Sequence, residues 1–382
     1  MAMDHPAGGQ TMGSVAIVGA GAAGLATAAS LRQYDIHAII YEAGDGPATT
    51  WRTLYDRLHL HTVKGLSGLP GMAMPGAFPR YPSRQQVVDY LAAYAKRFEL
   101  EIVPHSPVMS ARPDENGWRL TTPQGEYRAD VLVSATGIFS NPHAVTFPGL
   151  ADFKGATLPA AAYRNAAPFA GQRVLIVGAG NTGAEIALDL AEHDITPTVA
   201  IRAGAHVVPR ELLGMPIQRW AHVISRLPRG VTSALAPVLL KRSERRQAAA
   251  GVPKPAGSVL DKPGVPIIGL EFLQYAREGK IHVAGAIERF TDTGVRFADG
   301  REEALDVVIL ATGYRPALGY LEGVVSLDAS GFPMLDGLRA RGIPNLYFVG
   351  MHYDLLGTLY NIAHEAPVVA AEIARDWKHI GG

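Results

Sequence analysis

The chain has 382 residues, 48% of them hydrophobic and 18% charged, which is long enough for two domains with full cores and unlike a disordered or fibrous chain. Its 35 basic and 35 acidic residues balance, so no electrostatic reason exists to invoke nucleic acid as a partner. The absence of cysteine excludes disulfides, thiolate zinc sites, iron–sulfur clusters and a redox-active dithiol.

Residues 1–13 carry neither a basic nor an apolar leader pattern and read as a flexible tail, which with the lack of any membrane-span pattern points to a cytoplasmic protein. The first apolar run, Val15-Ala-Ile-Val18, opens directly into Gly19-Ala-Gly21-Ala-Ala-Gly24 and then a helix over Leu25–Leu31. A continuous Val/Ile run is what a parallel strand covered on both faces requires. In such a turn the first glycine bends the chain, the second admits a pyrophosphate and the third lets the helix pack on the strand. The helix then offers free N–H groups and a positive dipole end to the anion, with Ala22 and Ala23 at its start. The next strand, His37–Tyr41, ends in Glu42, 18 residues past Gly24. A carboxylate there accepts from ribose hydroxyls and repels a 2′-phosphate, which suits FAD or NAD. Alternatively, Glu42 is an ordinary strand-end charge.

Further along, Gln85–Phe98 has helical apolar spacing, a hairpin is expected around Trp118 and Glu126, and the unit closes on Asp130-Val-Leu-Val-Ser-Ala135-Thr136-Gly137. The whole pattern then recurs. Val174-Leu-Ile-Val177 enters Gly178-Ala-Gly180-Asn181-Thr182-Gly183, a helix follows over Ala184–Ala191, and the strand Thr198–Ile201 ends in Arg202. A cation at that ribose position suits a 2′-phosphate and hence NADPH. A second hairpin near Ala286 and Gly294 precedes Asp306-Val-Val-Ile-Leu-Ala311-Thr312-Gly313. Two phosphate turns in one chain imply two dinucleotides that meet and exchange electrons.

After the second coda come one more buried strand, Ile343–Gly350, and a closing helix, Ile362–Trp377. This tail is too short for a domain and most simply completes the first sheet. The expected fold is therefore α/β with two Rossmann-like domains, the NADPH domain inserted in the FAD domain. The FAD domain takes residues 14–164 and 301–382, and the NADPH domain 165–300. Residues 211–258 fit neither unit and read as a lid or channel insertion, with helical pieces at Ile217–Leu227 and Ser233–Leu240, a basic cluster Lys241–Arg246 and a Pro/Gly-rich stretch 251–257.

Several segments resemble the class B flavin-dependent monooxygenases, closest to the YUCCA-like branch and bacterial members. They are Trp51-Arg52-Thr-Leu-Tyr-Asp-Arg-Leu-His-Leu-His61, Tyr81-Pro-Ser-Arg-Gln-Gln86, Phe147-Pro-Gly-Leu-Ala-Asp-Phe153-Lys-Gly155, and Ala311-Thr-Gly-Tyr314-Arg-Pro316. The resemblance spans nearly the whole chain but does not specify the substrate. It departs from the family at Pro159, where the inter-unit fingerprint has a histidine, and in lacking an Asn between Leu58 and Gly76.

The resemblance implies that Gly19, Gly21, Ala22, Ala23, Gly24, Glu42 and Thr136 bind FAD, with Trp51, Arg52, His61 and Thr62 nearer its ring. Gly350, Leu356 and Thr358 join the same site, the helix start there facing the flavin pyrimidine edge. Gly178, Gly180, Asn181, Thr182, Gly183, Arg202, Ala311, Thr312, Gly313 and Tyr314 bind NADPH, Tyr314 belonging to the inter-domain link. It further implies an oxidoreductase in which FAD reduced by NADPH reacts with O2 to a C4a-(hydro)peroxyflavin. That species oxygenates an amine nitrogen, a sulfide sulfur, or the carbonyl of a ketone or 2-oxo acid. No catalytic side chain and no metal is assigned, because the flavin carries the chemistry. Pro159 raises the alternative of an NADPH oxidase or reductase that releases H2O2, and a flavin-bound sensor is the third reading. The expected partners are a small-molecule substrate and O2, with no nucleic acid and no integral membrane segment; a homodimer is considered, with no sequence feature that decides it.

Overall fold

The computed structural model describes residues 13–115, 117–224, 243–253 and 266–380. The expected Ser233–Leu240 helix, Lys241 and Arg242 of the basic cluster, residues 254–257 of the Pro/Gly-rich stretch and residues 1–12 of the tail lie outside them.

Two parallel sheets organise the chain. The first runs in the order Leu335–Asp336, Arg339–Ala340, Leu346–Phe348, Val131–Ser134, Val15–Val18, Ala38–Tyr41, Glu101–Val103. Its last five strands are parallel, and the short hairpin 335–340 adds an antiparallel edge. The second is wholly parallel: His282–Ala284, Thr198–Ala200, Val174–Val177, Val307–Leu310, Ala156–Pro159. The two-dinucleotide α/β architecture expected from the repeat is the one observed, and the strand after the second coda returns to the first sheet. Each unit also carries a three-stranded antiparallel ribbon just before its coda, over Ser110–Ala129 and Ile287–Ala304.

Sheet membership differs from the expected boundaries at two places. Ala156–Pro159, assigned from sequence to the first unit, is the outer strand of the second sheet, and Glu302–Ala304 and Val307–Leu310 also belong to the second unit. The cause is pairing: Pro159 lies opposite Leu310 on an edge, where a residue without an N–H is tolerated. The inter-unit fingerprint acquires a physical meaning here. A Cβ on Gly155 would strike both the Phe153 ring and the Asp306 carbonyl oxygen, so only glycine lets the chain turn beneath Phe153 into that strand.

The codas have structural work too. The Asp130 carboxylate accepts from the Ser14 N–H at 2.5 Å, and Asp306 accepts from the Arg173 N–H at 2.8 Å, so each coda holds the entry to its unit's first strand. Each coda alanine crosses its phosphate turn closely: a Cβ on Gly19 would stand 2.9 Å from the Ala135 carbonyl oxygen, and one on Gly178 2.5 Å from that of Ala311.

The main core forms where the helix Ala22–Leu31, buried along its whole length, packs on the closing helix Thr358–Ile380 and on Arg84–Arg97. The last of these starts with a capping box between Ser83 and Gln86. The closing helix begins at Thr358, one turn before the apolar spacing suggested, and runs through Pro367.

Candidate active site

Both phosphate turns are built alike. Ala22–Leu31 is preceded by Gly21 and Asn181–Glu192 by Gly180, each in extended conformation and with no capping side chain, so first-turn N–H groups remain for a ligand. Nothing stands within 4 Å of where a Cβ on Gly21 or Gly180 would lie, while a Cβ on Gly24 or Gly183 would overlap the carbonyl oxygen of Gly19 or Gly178. The middle glycine therefore opens a cradle and the third permits helix–strand contact.

A cavity of about 850 Å³ extends from the first turn. Gly19, Gly21, Ala22, Ala23, Glu42, Trp51, His61, Thr62, Thr136, Gly350 and Thr358 all line it. Asn181, Thr182 and Tyr314 of the second unit reach the same cavity. A second cavity of about 680 Å³ shares those three and adds Gly180, Ala311 and Gly313. The remaining expected residues line neither. Gly24, Gly178 and Gly183 lie behind their turns as packing positions. Arg52 is committed to the Asp45 carboxylate and the Pro47 carbonyl, and Thr312 donates to the His143 carbonyl at 2.8 Å. The Leu356 carbonyl accepts from Gln218, and Arg202 is an exposed cation with no hydrogen bond or ion pair among the described residues.

Glu42 is buried, and its two carboxylate oxygens accept from the Ala20 N–H at 2.7 Å and the Gly44 N–H at 2.8 Å. These bonds fix the carboxylate at the cavity wall with lone pairs left over. Two other polar groups there have no protein partner: both ring nitrogens of His61 and the Thr136 hydroxyl are buried and unsatisfied. Buried polar atoms without partners are rare, and these two residues line a space large enough for a dinucleotide. The residues present thus fit a flavin dinucleotide.

Burial drives the His61 pKa down from 6.5 to about 4, helped by the nearby Arg210, Arg57 and His59, so the imidazole is neutral. The unfolded chain takes up a proton near pH 6.5 while the folded one does not until about pH 4. Stability is therefore lost as pH falls through that window, by about 3 kcal/mol in full. A His61→Phe variant is expected to lack this part of the acid destabilisation, measured by urea unfolding of the flavin-free protein at pH 7 and pH 4.5.

Some side chains around the site had no contact assigned to them from the sequence. Arg57, from the segment after the first turn, makes a two-pronged pair with Glu192 at 2.7 and 3.0 Å and also binds the buried Glu185, both on the second unit's helix. Desolvation raises the Glu185 pKa, and Arg57 opposes that rise. Tyr163 of the inter-unit fingerprint is buried and donates to Asp189 on the same helix at 2.5 Å. Phe139 packs edge-on against Tyr314 and Tyr353, at 5.5 and 5.6 Å, between the two cavities. Of the residues before the closing helix, Tyr353 and Asp354 line the first cavity and His352 the second.

The pattern of the pyridine nucleotide-disulphide oxidoreductase family matches residues 16–211. Indole-3-pyruvate monooxygenase YUCCA1 of Oryza sativa subsp. japonica is 35% identical over 95% of this chain and 91% of its own length. YUCCA6 of Arabidopsis thaliana, named for the same activity, is 34% identical over 95% and 90%. A flavin-containing monooxygenase from Stenotrophomonas maltophilia superposes with a TM-score of 0.74 at 27% identity, covering 95% of this chain and 99% of that one. Cyclohexanone monooxygenase, at 19% identity and a TM-score of 0.73, shares the fold. The chain belongs to the pyridine nucleotide-disulphide oxidoreductase family and, within it, to the flavin-dependent monooxygenases. It is an oxidoreductase with a flavin and a nicotinamide cofactor, and having no cysteine it holds no dithiol of its own for disulphide chemistry. Among the described residues no helix is long and apolar enough to cross a membrane, and no cluster of side chains could hold a metal ion.

Proposed function

We propose that the flavin is FAD, that the nicotinamide is NADPH, and that the enzyme oxygenates a 2-oxo acid bearing an aromatic group. The observation that carries the cofactor reading is that residues of both phosphate turns line one continuous cavity, together with Glu42 and the Thr358 helix start. The flavin-binding unit comprises the first sheet, and the nicotinamide-binding unit the residues from Ala156 to Leu310. Identity of 34–35% to relatives named for indole-3-pyruvate favours the 2-oxo acid over an amine or sulfide. A cytoplasmic location suits an enzyme that draws on NADPH.

Bound in this cavity, FAD would supply hydride acceptance from NADPH and activation of O2, with one oxygen for the substrate and the other for water. The protein binds and orients. N–H groups of Ala22 and Ala23 would hold the pyrophosphate, and Glu42 would accept from the adenosine ribose. Neutral His61 and the Thr136 hydroxyl offer hydrogen bonds without adding charge to the cavity. The first-turn N–H groups at Thr358 would offer positive potential to the negative charge of a reduced flavin held there. Phe139, Tyr314 and Tyr353 close the space between the cavities to water.

With NADPH, ¹⁸O₂ and indole-3-pyruvate, mass spectrometry is expected to show an acid one carbon shorter with one labelled oxygen, one CO2 per NADPH and little H2O2. NADPH consumption matched by H2O2, with no product from a 2-oxo acid, amine or sulfide, would establish the oxidase alternative instead. For the nicotinamide, Arg202→Ala is expected to raise the NADPH KM about tenfold while hardly moving that of NADH; equal effects would remove Arg202 from the 2′-phosphate site.

A further inference from the structure

Gln218 is the second residue of the helix Ile217–Ile224, in the segment inserted within the nicotinamide unit, and it is 1% exposed. A primary amide buried this deeply must spend its donors and acceptor on specific partners. Its Oε1 accepts from the Val63 N–H at 2.8 Å, and its Nε2 donates to the Leu356 carbonyl. Both partners belong to the flavin unit and lie far away in sequence. They flank Gly357, whose φ is +95° and where a Cβ would stand 2.5 Å from the Thr62 methyl and 3.1 Å from Gln218 Nε2.

A peptide plane points its C=O and N–H in opposite directions. With the Leu356 carbonyl held by Gln218, the Gly357 N–H is turned to Asp354, reaching its carbonyl at 3.2 Å and its Oδ1 at 3.3 Å. Both ends of one plane are thereby fixed immediately before Thr358, where the closing helix starts and meets the cavity. Other contacts bring the same segment down on the flavin unit: Tyr81 donates to Glu211 at 3.0 Å, and Arg80 pairs with Glu211 at 2.9 Å. From the same helix His222 meets Tyr360 in the closing helix's first turn at 3.3 Å, while Gln218 holds the peptide just before that helix.

We propose that Gln218 is a positioning residue for the flavin, a clasp from the nicotinamide unit that sets the Leu356–Gly357 peptide plane and so aims the N-terminus of the closing helix into the flavin cavity. This rests on the flavin reading above. Only an amide satisfies both partners. Alanine or leucine satisfies neither, and a carboxylate can accept from Val63 but cannot donate to Leu356 unless protonated.

The test is the dissociation constant of FAD for flavin-free protein, by fluorescence quenching from pH 5 to pH 8, for wild type, Gln218→Leu and Gln218→Glu. Gln218→Leu is expected to bind about tenfold more weakly at every pH, the size of one lost buried hydrogen bond. Gln218→Glu should bind about tenfold more weakly at pH 8 and recover to within about threefold of wild type at pH 5. Burial raises a carboxyl there, and the protonated form donates to the Leu356 carbonyl again. Asp354, Lys64, His61 and His222 around the turn and helix are present in wild type as well, so the ratio to wild type isolates position 218. Wild-type affinity in both variants, even with lowered thermal stability, would reduce Gln218 to a packing role. A pH-independent loss in Gln218→Glu would also overturn the proposal. Failure of the wild type to bind FAD would instead overturn the flavin reading.

Discussion

A Gly183→Ala variant is expected to stay yellow, with flavin bound, while its reduction by NADPH slows at least about 100-fold at limiting NADPH. The added methyl would sit on the Gly178 carbonyl oxygen and 3.2 Å from the Ala311 Cβ, and neither can give way without moving backbone or the coda strand. The helix Asn181–Glu192 must lift from Val174–Val177, which carries its free N–H groups away from the pyrophosphate. A 100-fold effect is about 3 kcal/mol, the order expected when charge-assisted hydrogen bonds to an anion are lost. The same change in the first turn, Gly24→Ala, meets the Gly19 carbonyl oxygen and should give a protein that does not retain flavin. Flavin absorbance of the purified variants and anaerobic rapid-mixing reduction make the check. If Gly183→Ala loses flavin as readily as Gly24→Ala, the assignment of separate cofactors to the two turns fails.

Glu42→Ala should combine loss of flavin with loss of stability. Its carboxylate is a buried acceptor for two backbone N–H groups, and alanine leaves both without a partner. Hydrogen bonds to a charged group contribute about 1.5–3 kcal/mol each, so the flavin-free protein should lose about 3–6 kcal/mol. For a domain of this size that lowers the thermal midpoint by roughly 10 °C. Glu42→Gln retains one acceptor oxygen and should fall between alanine and wild type. Calorimetry of the flavin-free proteins measures the structural part, and FAD titration measures the ligand part. An unchanged FAD affinity in Glu42→Gln together with a lowered midpoint would leave Glu42 a structural acceptor only.

The turns were legible because their chemistry is local. A glycine triplet between an apolar strand and a helix is demanded by close backbone approach, and the structure shows that approach at Gly19, Gly24, Gly178 and Gly183. Glu42, expected at the end of the second strand, directly follows Ala38–Tyr41 and is fixed there by two backbone N–H groups. The boundary near residue 156 was not. Ala156–Pro159 is a largely exposed edge strand with no alternation, and only its register with Val307–Leu310 assigns it to the second sheet. Arg52 was placed near the flavin ring by the family resemblance, and in the fold its guanidinium binds Asp45 and Pro47.

The sequence by itself determined the two phosphate turns, the strands that feed them, the return of the chain to its first sheet, and the absence of thiol chemistry. All of these follow from residue type at short range or from composition. Contacts between the units were set by the fold alone: Arg57 reaching Glu185 and Glu192, and Gln218 joining Val63 to Leu356. Each pairs residues 128 to 155 positions apart through side chains with no periodic pattern. A buried polar group is specified by the partner that satisfies it, and that partner is set only when the two sheets have been brought together.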